Sequence, residues 1–305
     1  MILKKLRKKY KINKDIQMET QRINWYPGHM ARARRLISEQ LKKIDLVIEI
    51  CDARLPFSSR NPDLIRLAGN KKHLLLVNKS DLADEKMNRI WLRFFRNSGI
   101  ETILSDGTKL NSKEILYAID KLTEDLREKA TQKGIRRTIR AMVVGVPNVG
   151  KSTVINHLKG NKITLTGDRP GVTRSNQMIR ITPYLELMDT PGLLWPRLDD
   201  QTAARRLCYI GTVSDEVVDL PDLTISLLEE LKEKSPDQLR ERYHLNSLKP
   251  EGAELLEAIC RGRGWLLKGN EYDYDRCCRV VLDEFRAGKI GRITLEEPMD
   301  SFPKE

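Results

Sequence analysis

Short apolar runs alternate with helical stretches over the first two thirds of the chain. Six runs predict strands, at residues 46–50, 73–77, 102–104, 141–145, 178–181 and 184–188. Those rich in Val, Ile and Leu without polar alternation are typical of strands that are covered on both faces. This part of the chain therefore predicts an α/β fold, with a mainly parallel sheet and helices on both faces.

Helical periodicity replaces this pattern beyond residue 196. From residue 199 to about 289 we find no convincing strand, and one predicted helix carries an apolar stripe of Cys277, Val280, Val281 and Phe285. A further amphipathic helix, with an apolar and a basic face, is predicted near the amino end, from about residue 30 to 43. We divide the chain into a basic extension (1–23), an α/β domain (24–197) and a small all-helical domain (198–305).

Positive charge is concentrated at the amino end. The 305 residues carry a net charge of +12, and residues 1–43 hold thirteen Lys or Arg against three acidic residues. Such a block is typical of proteins that bind RNA or DNA, although a solvated tail is an equal alternative for residues 1–20.

Five cysteines show no metal-ligand spacing. No apolar run is long enough for a membrane span or a signal peptide, so we expect a cytoplasmic protein, with an organelle as second choice. We also expect a monomer.

A phosphate-binding loop is predicted at GVPNVGKST, residues 145–153, between a strand and a helix. Glycines let backbone N–H groups surround phosphates, Lys151 would neutralise the β and γ oxygens, and the Ser152 hydroxyl would bind Mg²⁺. Asn148 is either a turn residue or a ligand for a monovalent cation such as K⁺. The predicted phosphate-binding residues are Gly145, Asn148, Val149, Gly150, Lys151, Ser152, Thr153 and Gly192.

Guanine selection is predicted at NKSD, residues 78–81, which follows a strand. Asp81 could accept hydrogen bonds from the guanine N1–H and amino groups, which adenine does not offer. The predicted guanine-binding residues are Asn78, Lys79, Ser80, Asp81, Leu104, Ser105 and Asp106. NKSD precedes the phosphate loop here, whereas a GTP-binding domain normally has the phosphate loop first. The order therefore predicts a circularly permuted P-loop GTPase.

The switch elements of a GTPase are also predicted. Asp189 of DTPG would hold Mg²⁺ through water, Gly192 would contact the γ-phosphate, and Thr173 would be the switch threonine that binds Mg²⁺. Leu193 stands where Ras-like enzymes have the glutamine that orients the attacking water. Hydrolysis therefore needs another group, a second protein or a bound ion.

Six segments together resemble the YlqF/RbgA family of circularly permuted ribosome-assembly GTPases. They are WYPGHMARARR, DARLPFSSRNP, NKSD, GVPNVGKST, TGDRPGVTRS and DTPGLLWP. The resemblance implies a GTPase that binds a late precursor of the large ribosomal subunit, contacts its rRNA and is stimulated by that particle. It also implies that His29 replaces the missing glutamine, and it favours K⁺ binding at Asn148. The alternative is a nucleotide-gated rRNA-binding protein with negligible turnover, in keeping with Leu193.

Overall fold

The computed structural model describes residues 37–60, 64, 67–160, 178–190 and 200–298. The predicted residues His29, Thr173, Gly192 and Leu193 lie outside these ranges, as do residues 1–23. Of the predicted helix at residues 30–43, only residues 37–41 are described as helical. Ile37, Leu41 and Ile44 are buried while Lys42 and Lys43 are exposed, as the predicted apolar and basic faces require.

Within the described residues a six-stranded sheet forms from the predicted runs, in the order β3-β2-β1-β4-β6-β5. All neighbouring pairs are parallel except the edge pair β5 and β6. The strands are β1 (Leu46–Asp52), β2 (Lys72–Asn78), β3 (Glu101–Leu104), β4 (Ile139–Val144), β5 (Met178–Thr182) and β6 (Leu185–Asp189).

The sheet is buried on both faces. Along β1, Leu46 and Ile48 pack into one apolar cluster, whereas Val47 and Cys51 point to the opposite side. Because successive side chains of a strand alternate between faces, a continuous apolar run is what a doubly covered strand requires. The predicted α/β fold is thus confirmed.

Four helices of the α/β part are described in full, and together they cover both faces of the sheet. They are α1 (Glu85–Asn97), α2 (Ser112–Leu122), α3 (Glu124–Thr131) and α4 (Lys151–Lys159). The Asp84 side chain accepts a hydrogen bond from the Met87 N–H and so caps α1. Trp91 and Phe95 of α1 stack on each other with ring centroids 5.2 Å apart and cover the β1–β2 face.

The strand order indicates where on the sheet a ligand would bind. From β1 the chain runs outward to β2 and β3, whereas from β4 it runs the other way, to β6 and β5. Ligands of open α/β sheets bind at the carboxyl ends of the strands where this direction reverses. Here that point lies between β1 and β4.

The predicted helical part follows β6. Its helices are α5 (Gln201–Tyr209), α6 (Leu220–Lys234), α7 (Pro236–Tyr243), α8 (Ala253–Arg263) and α9 (Tyr274–Arg286). Cys277, Val281 and Phe285 of the predicted stripe are buried, whereas Val280 is only half-buried. The apolar core of these helices is continuous with that of the sheet.

Residues 290–296 leave the helices and return to the α/β part. The Ile293 N–H donates to the Leu82 carbonyl (3.1 Å), and the Leu295 N–H donates to the Arg54 carbonyl (3.0 Å). The Trp91 indole N–H donates to the Glu296 carbonyl (3.1 Å). The last described segment therefore packs on the sheet domain, and it also contacts the preceding helices through the ion pair between Lys234 and Glu297 (2.9 Å).

Candidate guanine-nucleotide site

The loop between β4 and α4 approaches its neighbours so closely that two positions require glycine. A Cβ on Gly145 would lie 2.4 Å from the Ile50 carbonyl oxygen, and one on Gly150 would lie 2.3 Å from Asn78 Nδ2. Gly150 also has φ +98°, in the left-handed region that favours glycine. The two outer glycines of the predicted phosphate loop are thus explained by contacts within the protein.

Lys151 and the amino end of α4 form the charged part of this loop. The Lys151 ammonium is buried and donates to the carbonyls of Gly145 (3.1 Å) and Val146 (2.8 Å). The N-cap residue of α4 is Gly150, which has no side chain that could cap the helix. Ser152 and Thr153 of the first turn are half-buried. A helix amino end of this kind binds phosphate groups.

Asn78, the last residue of β2, joins the predicted base-binding loops to the phosphate loop. Its Nδ2 donates to the Val149 carbonyl (2.7 Å), and its Oδ1 accepts from the Ser105 hydroxyl (2.9 Å). Ser105 lies immediately after β3, and its carbonyl accepts from the Ser80 N–H (3.1 Å). Three loops that are distant in sequence therefore meet at one buried amide.

Lys79 lies across the phosphate loop. It has φ +58°, and its ammonium donates to the Asn148 carbonyl and lies 3.3 Å from Asp52 Oδ2. Burial lowers the pKa of Lys79, while the carboxylate of Asp52 opposes this shift. The Lys79 side chain thus joins the NKSD loop to the predicted phosphate loop.

Two carboxylates stand where the guanine base is predicted to bind. Burial raises the pKa of Asp81, and the neighbouring charge of Asp106 adds to this effect. Asp106 itself accepts from the N–H and hydroxyl of Thr108 (2.7 Å each). Burial would raise the pKa of Asp106, but these hydrogen bonds outweigh it and lower that pKa. Asp106 therefore shapes its own turn, and Asp81 stays the predicted acceptor for guanine N–H groups. Leu104 ends β3 and is half-buried.

The predicted magnesium side of the site is described only in part. The backbone of Asp189 ends β6 and pairs with Val143 of β4, two residues before the phosphate loop. The Thr190 hydroxyl donates to the Val143 carbonyl (2.6 Å). A serine hydroxyl in the first turn of α4 and a carboxylate residue at the end of the adjacent strand are the oxygen ligands that Mg²⁺ prefers.

Asn148 contacts the helical part directly. It has φ +64° in a left-handed turn, and its side-chain Nδ2 donates to the Gly211 carbonyl, just beyond α5. Asn148 is thus a turn residue, one of the two alternatives that the sequence offered. Its contact with the helical part was not predicted from the sequence.

A buried ion pair beside the site also escaped the sequence analysis. Asp52 ends β1, and Arg54 donates to both of its carboxylate oxygens (2.9 and 2.8 Å). Burial would raise the pKa of Asp52, but the charges of Arg54 and Lys79 outweigh it and hold that pKa far below its usual range. The signal was the charged DAR that follows an apolar run, but we had assigned no role to it.

Other classes of site are not found in the part of the chain that the structure describes. It contains no group of three or more His, Cys, Asp or Glu residues that could hold a metal ion. All five cysteines are free and buried. In the same ranges no helix has the length and apolar character needed to cross a membrane.

Known proteins of similar sequence are GTPases. A family model described as 50S ribosome-binding GTPase matches residues 140–249. Ribosome biogenesis GTPase A of Bacillus cereus is 44% identical over 278 residues, which are 90% of this chain and 94% of that protein. The protein of the same name from Thermotoga maritima is 31% identical and covers 92% of this chain and 97% of its own length. Mouse mitochondrial ribosome-associated GTPase 1 is 32% identical, with 89% of both chains covered.

Solved structures of YlqF are similar in fold. The GDP-bound form matches with a TM-score of 0.66 and 27% identity, over 87% of this chain and all of that one. The GNP-bound form from T. maritima gives a TM-score of 0.62 at the same identity, over 88% of this chain and 98% of that one. With the guanine-selecting loop ahead of the phosphate loop and both joined at Asn78, this GTPase belongs to the ribosome biogenesis GTPase A (YlqF/RbgA) family.

Proposed function

We propose that this GTPase is an assembly factor that binds a late precursor of the large ribosomal subunit, promotes its maturation and is released when GTP is hydrolysed. The observation that carries the proposal is the junction at Asn78, which holds the NKSD loop against the predicted phosphate loop. The relatives named for ribosome biogenesis or ribosome association, similar over about nine tenths of this chain, support the ribosomal partner.

Each described residue of the site has a role in this scheme. Asp81 accepts from guanine, Lys79 and Asn78 hold the loops together, and the first turn of α4 with Lys151 binds the phosphates. Ser152 and Asp189 would hold Mg²⁺, which GTPases of this fold require and which neutralises phosphate charge when bound. GTP would keep the switch segments in a particle-binding state, and hydrolysis would end it.

The test is a multiple-turnover GTPase assay with and without large ribosomal subunits. We expect slow turnover alone and clear stimulation by the particle, because Leu193 offers no group to orient water. Sedimentation of the protein on the particles with GTP, with GDP and without nucleotide measures the predicted switch. Absence of both stimulation and GTP-dependent sedimentation would reject the assembly role. Sedimentation with negligible turnover would instead support the alternative of a nucleotide-gated rRNA-binding protein.

His29 is proposed as the residue that positions the attacking water. Imidazole can orient or deprotonate water near neutral pH. We expect His29→Ala to keep its affinity for GTP and to lose stimulation by the particle. Retained stimulation would remove His29 from the mechanism.

K⁺ binding at Asn148 is a separate proposal. The Asn148 Nδ2 already donates to Gly211, so a cation would have to be bound by the side-chain oxygen. Turnover in KCl should then exceed turnover in NaCl at equal ionic strength, and Asn148→Ser should abolish this difference. Equal rates in the two salts with the unaltered protein would contradict the proposal.

Basic residues would bind rRNA. The amino-terminal block of positive charge supports this, as does the exposed set of the helical part, Arg261, Lys268, Arg276 and Arg279. Deleting residues 1–20 should weaken particle binding and flatten its dependence on salt, since fewer counterions are released. Unchanged binding at every salt concentration would refute a role for this segment. A cytoplasmic location is proposed with the ribosomal partner.

A further inference from the structure

Arg54 connects the end of β1 to the end of α9. Its side chain is 1% exposed. Nε and Nη2 donate to the two carboxylate oxygens of Asp52 (2.9 and 2.8 Å). Nη1 donates to the carbonyls of Phe285 (3.2 Å) and Arg286 (3.1 Å), in the last turn of α9. A cation at a helix carboxyl end is favourable, because the last carbonyls lack partners within the helix.

From Asp52 the connection continues into the nucleotide site. The carboxylate oxygen that accepts from Arg54 Nη2 also lies 3.3 Å from the Lys79 ammonium. Lys79 in turn donates to the Asn148 carbonyl in the phosphate loop. Three charged side chains, Arg54, Asp52 and Lys79, thus connect α9 to the backbone of the predicted phosphate loop.

A second connection closes the ring through α5. The Asn148 side chain donates to the Gly211 carbonyl, just past the carboxyl end of α5. Arg286 donates through Nε to the Tyr209 carbonyl and through Nη2 to the Cys208 carbonyl, at 3.0 Å each. The carboxyl ends of α5 and α9 are therefore joined to each other and to both nucleotide loops.

We propose that Arg54 is a positioning residue that couples docking of the helical part to guanine-nucleotide binding. The residues of this interdomain ring are Asp52, Arg54, Lys79, Asn148, Gly211 and Arg286. Nucleotide that orders Lys79 and the phosphate loop stabilises the carboxyl ends of α5 and α9, and docking of these ends favours nucleotide to the same extent, because coupling between two sites is reciprocal. The inference needs only the nucleotide and is independent of the ribosomal partner.

The competing interpretation is that Arg54 merely stabilises the fold as a buried ion pair. The chain offers a matched control in Arg60, on the same loop. Arg60 donates to Glu49 (3.1 and 2.8 Å) and is largely buried. It packs over the Phe95 ring at 5.0 Å, on α1 rather than on the helical part. Loss of Arg60 therefore removes an ion pair of the same kind without changing any residue of the interdomain ring.

Release of a fluorescent GDP analogue from the full-length protein separates the two interpretations. In Arg54→Lys the charge remains, but an ammonium cannot donate to two carboxylate oxygens and two carbonyls in the fixed directions of a guanidinium. We expect release to accelerate about tenfold in Arg54→Lys, since charged hydrogen bonds of the ring are lost, and to change by less than about twofold in Arg60→Lys. Equal changes in the two variants would overturn the proposal.

Hydrogen exchange gives a readout that a purely structural role would not affect. In the unaltered protein, GDP should slow amide exchange at residues 205–212 and 280–287. Arg60→Lys should keep this protection and Arg54→Lys should lose it. If GDP fails to protect these segments in the unaltered protein, the coupling does not exist, and this outcome decides the question even if Arg54→Lys does not fold. Protection that persists in a folded Arg54→Lys would equally refute it.

Discussion

Removal of the Asn78 side chain tests whether the site is organised by one buried amide. Asn78 is 1% exposed, and Asn78→Ala leaves the Val149 carbonyl without this donor and the Ser105 hydroxyl without this acceptor. Each buried group that loses its partner costs about 1–3 kcal/mol, so for the two groups we expect a loss of about 2–6 kcal/mol in the free energy of unfolding. Part of this loss should appear in nucleotide binding, because the two bonds hold the base loops against the phosphate loop.

Denaturant unfolding with and without GDP distinguishes a local role from a general loss of stability. GDP at 1,000 times its dissociation constant stabilises a protein by about 4 kcal/mol, and a tenfold loss of affinity reduces this to about 2.7 kcal/mol. We expect a reduction of at least this size in Asn78→Ala. Asn111→Ala is the control, because Asn111 is an exposed residue that caps α2 and its loss should cost about 1 kcal/mol without changing the effect of GDP. Full stabilisation by GDP in Asn78→Ala would refute the reasoning.

Three further outcomes are expected. Burial would raise the pKa of Glu49, but the charges and hydrogen bonds of Arg60 and His73 together outweigh it and lower that pKa from 4.5 to about 2; this contributes about 3 kcal/mol of stability above pH 4.5 that is lost as the pH falls towards 2. Urea unfolding of Glu49→Gln should show a weaker dependence on pH in that range, and an unchanged slope would contradict the assignment. Gly145→Ala would place a Cβ 2.4 Å from the Ile50 carbonyl oxygen and should weaken GDP binding by about 1–3 kcal/mol in calorimetry; normal affinity would show that the loop can shift. Leu228→Ala empties a fully buried position in the core shared by the helical part and the sheet; it should lower stability by about 2–5 kcal/mol in a single unfolding transition, whereas two transitions would show independent domains.

The strands and the nucleotide loops could be predicted from the sequence because their signals are local. A run such as LVIEI is apolar on both faces, and the structure extends it only by the last residues of β1, to Asp52. The phosphate loop was predictable for the same reason, since the glycines and Lys151 act within nine consecutive residues. Asn78 and Asp81 were assigned from a four-residue motif that gained meaning from the phosphate loop elsewhere in the chain.

The contacts of Arg54 and Asn148 could not be predicted, since they depend on how the helical part docks. Arg54 reaches a carbonyl 231 residues away, and Asn148 reaches one 63 residues away. Their acceptors are backbone carbonyls, which carry no residue-specific signal. Only the charged DAR after an apolar run indicated that β1 ends at a polar site.

Residues 290–296 show a weaker signal that could have been used. Ile293 and Leu295 alternate with polar neighbours and are buried, which is the pattern of a half-buried extended segment. Two residues are too few to identify such a segment when the preceding ninety residues have helical periodicity. The predicted boundary at residue 198 therefore lies close to the first helix of the helical part. It does not indicate that residues 290–296 return to the α/β part.

The two ends of the helical part determine how its position can affect the nucleotide. Its first helix begins at Gln201, twelve residues after β6 ends, and its last described segment is bound to the loop that follows NKSD through the Leu82 and Ala83 carbonyls. The helical part is attached to the α/β part at both of its ends and, between them, through the contact of Asn148 with Gly211. It therefore cannot rotate freely about a single connection. A displacement of α9 must then change the guanine loop or the phosphate loop, or break the hydrogen bonds that join them. In the sequence this part directly follows the predicted second switch, so we expect hydrolysis and docking to act on the same few loops. The effect of Arg54→Lys on GDP release is then the most direct measure of the proposed coupling.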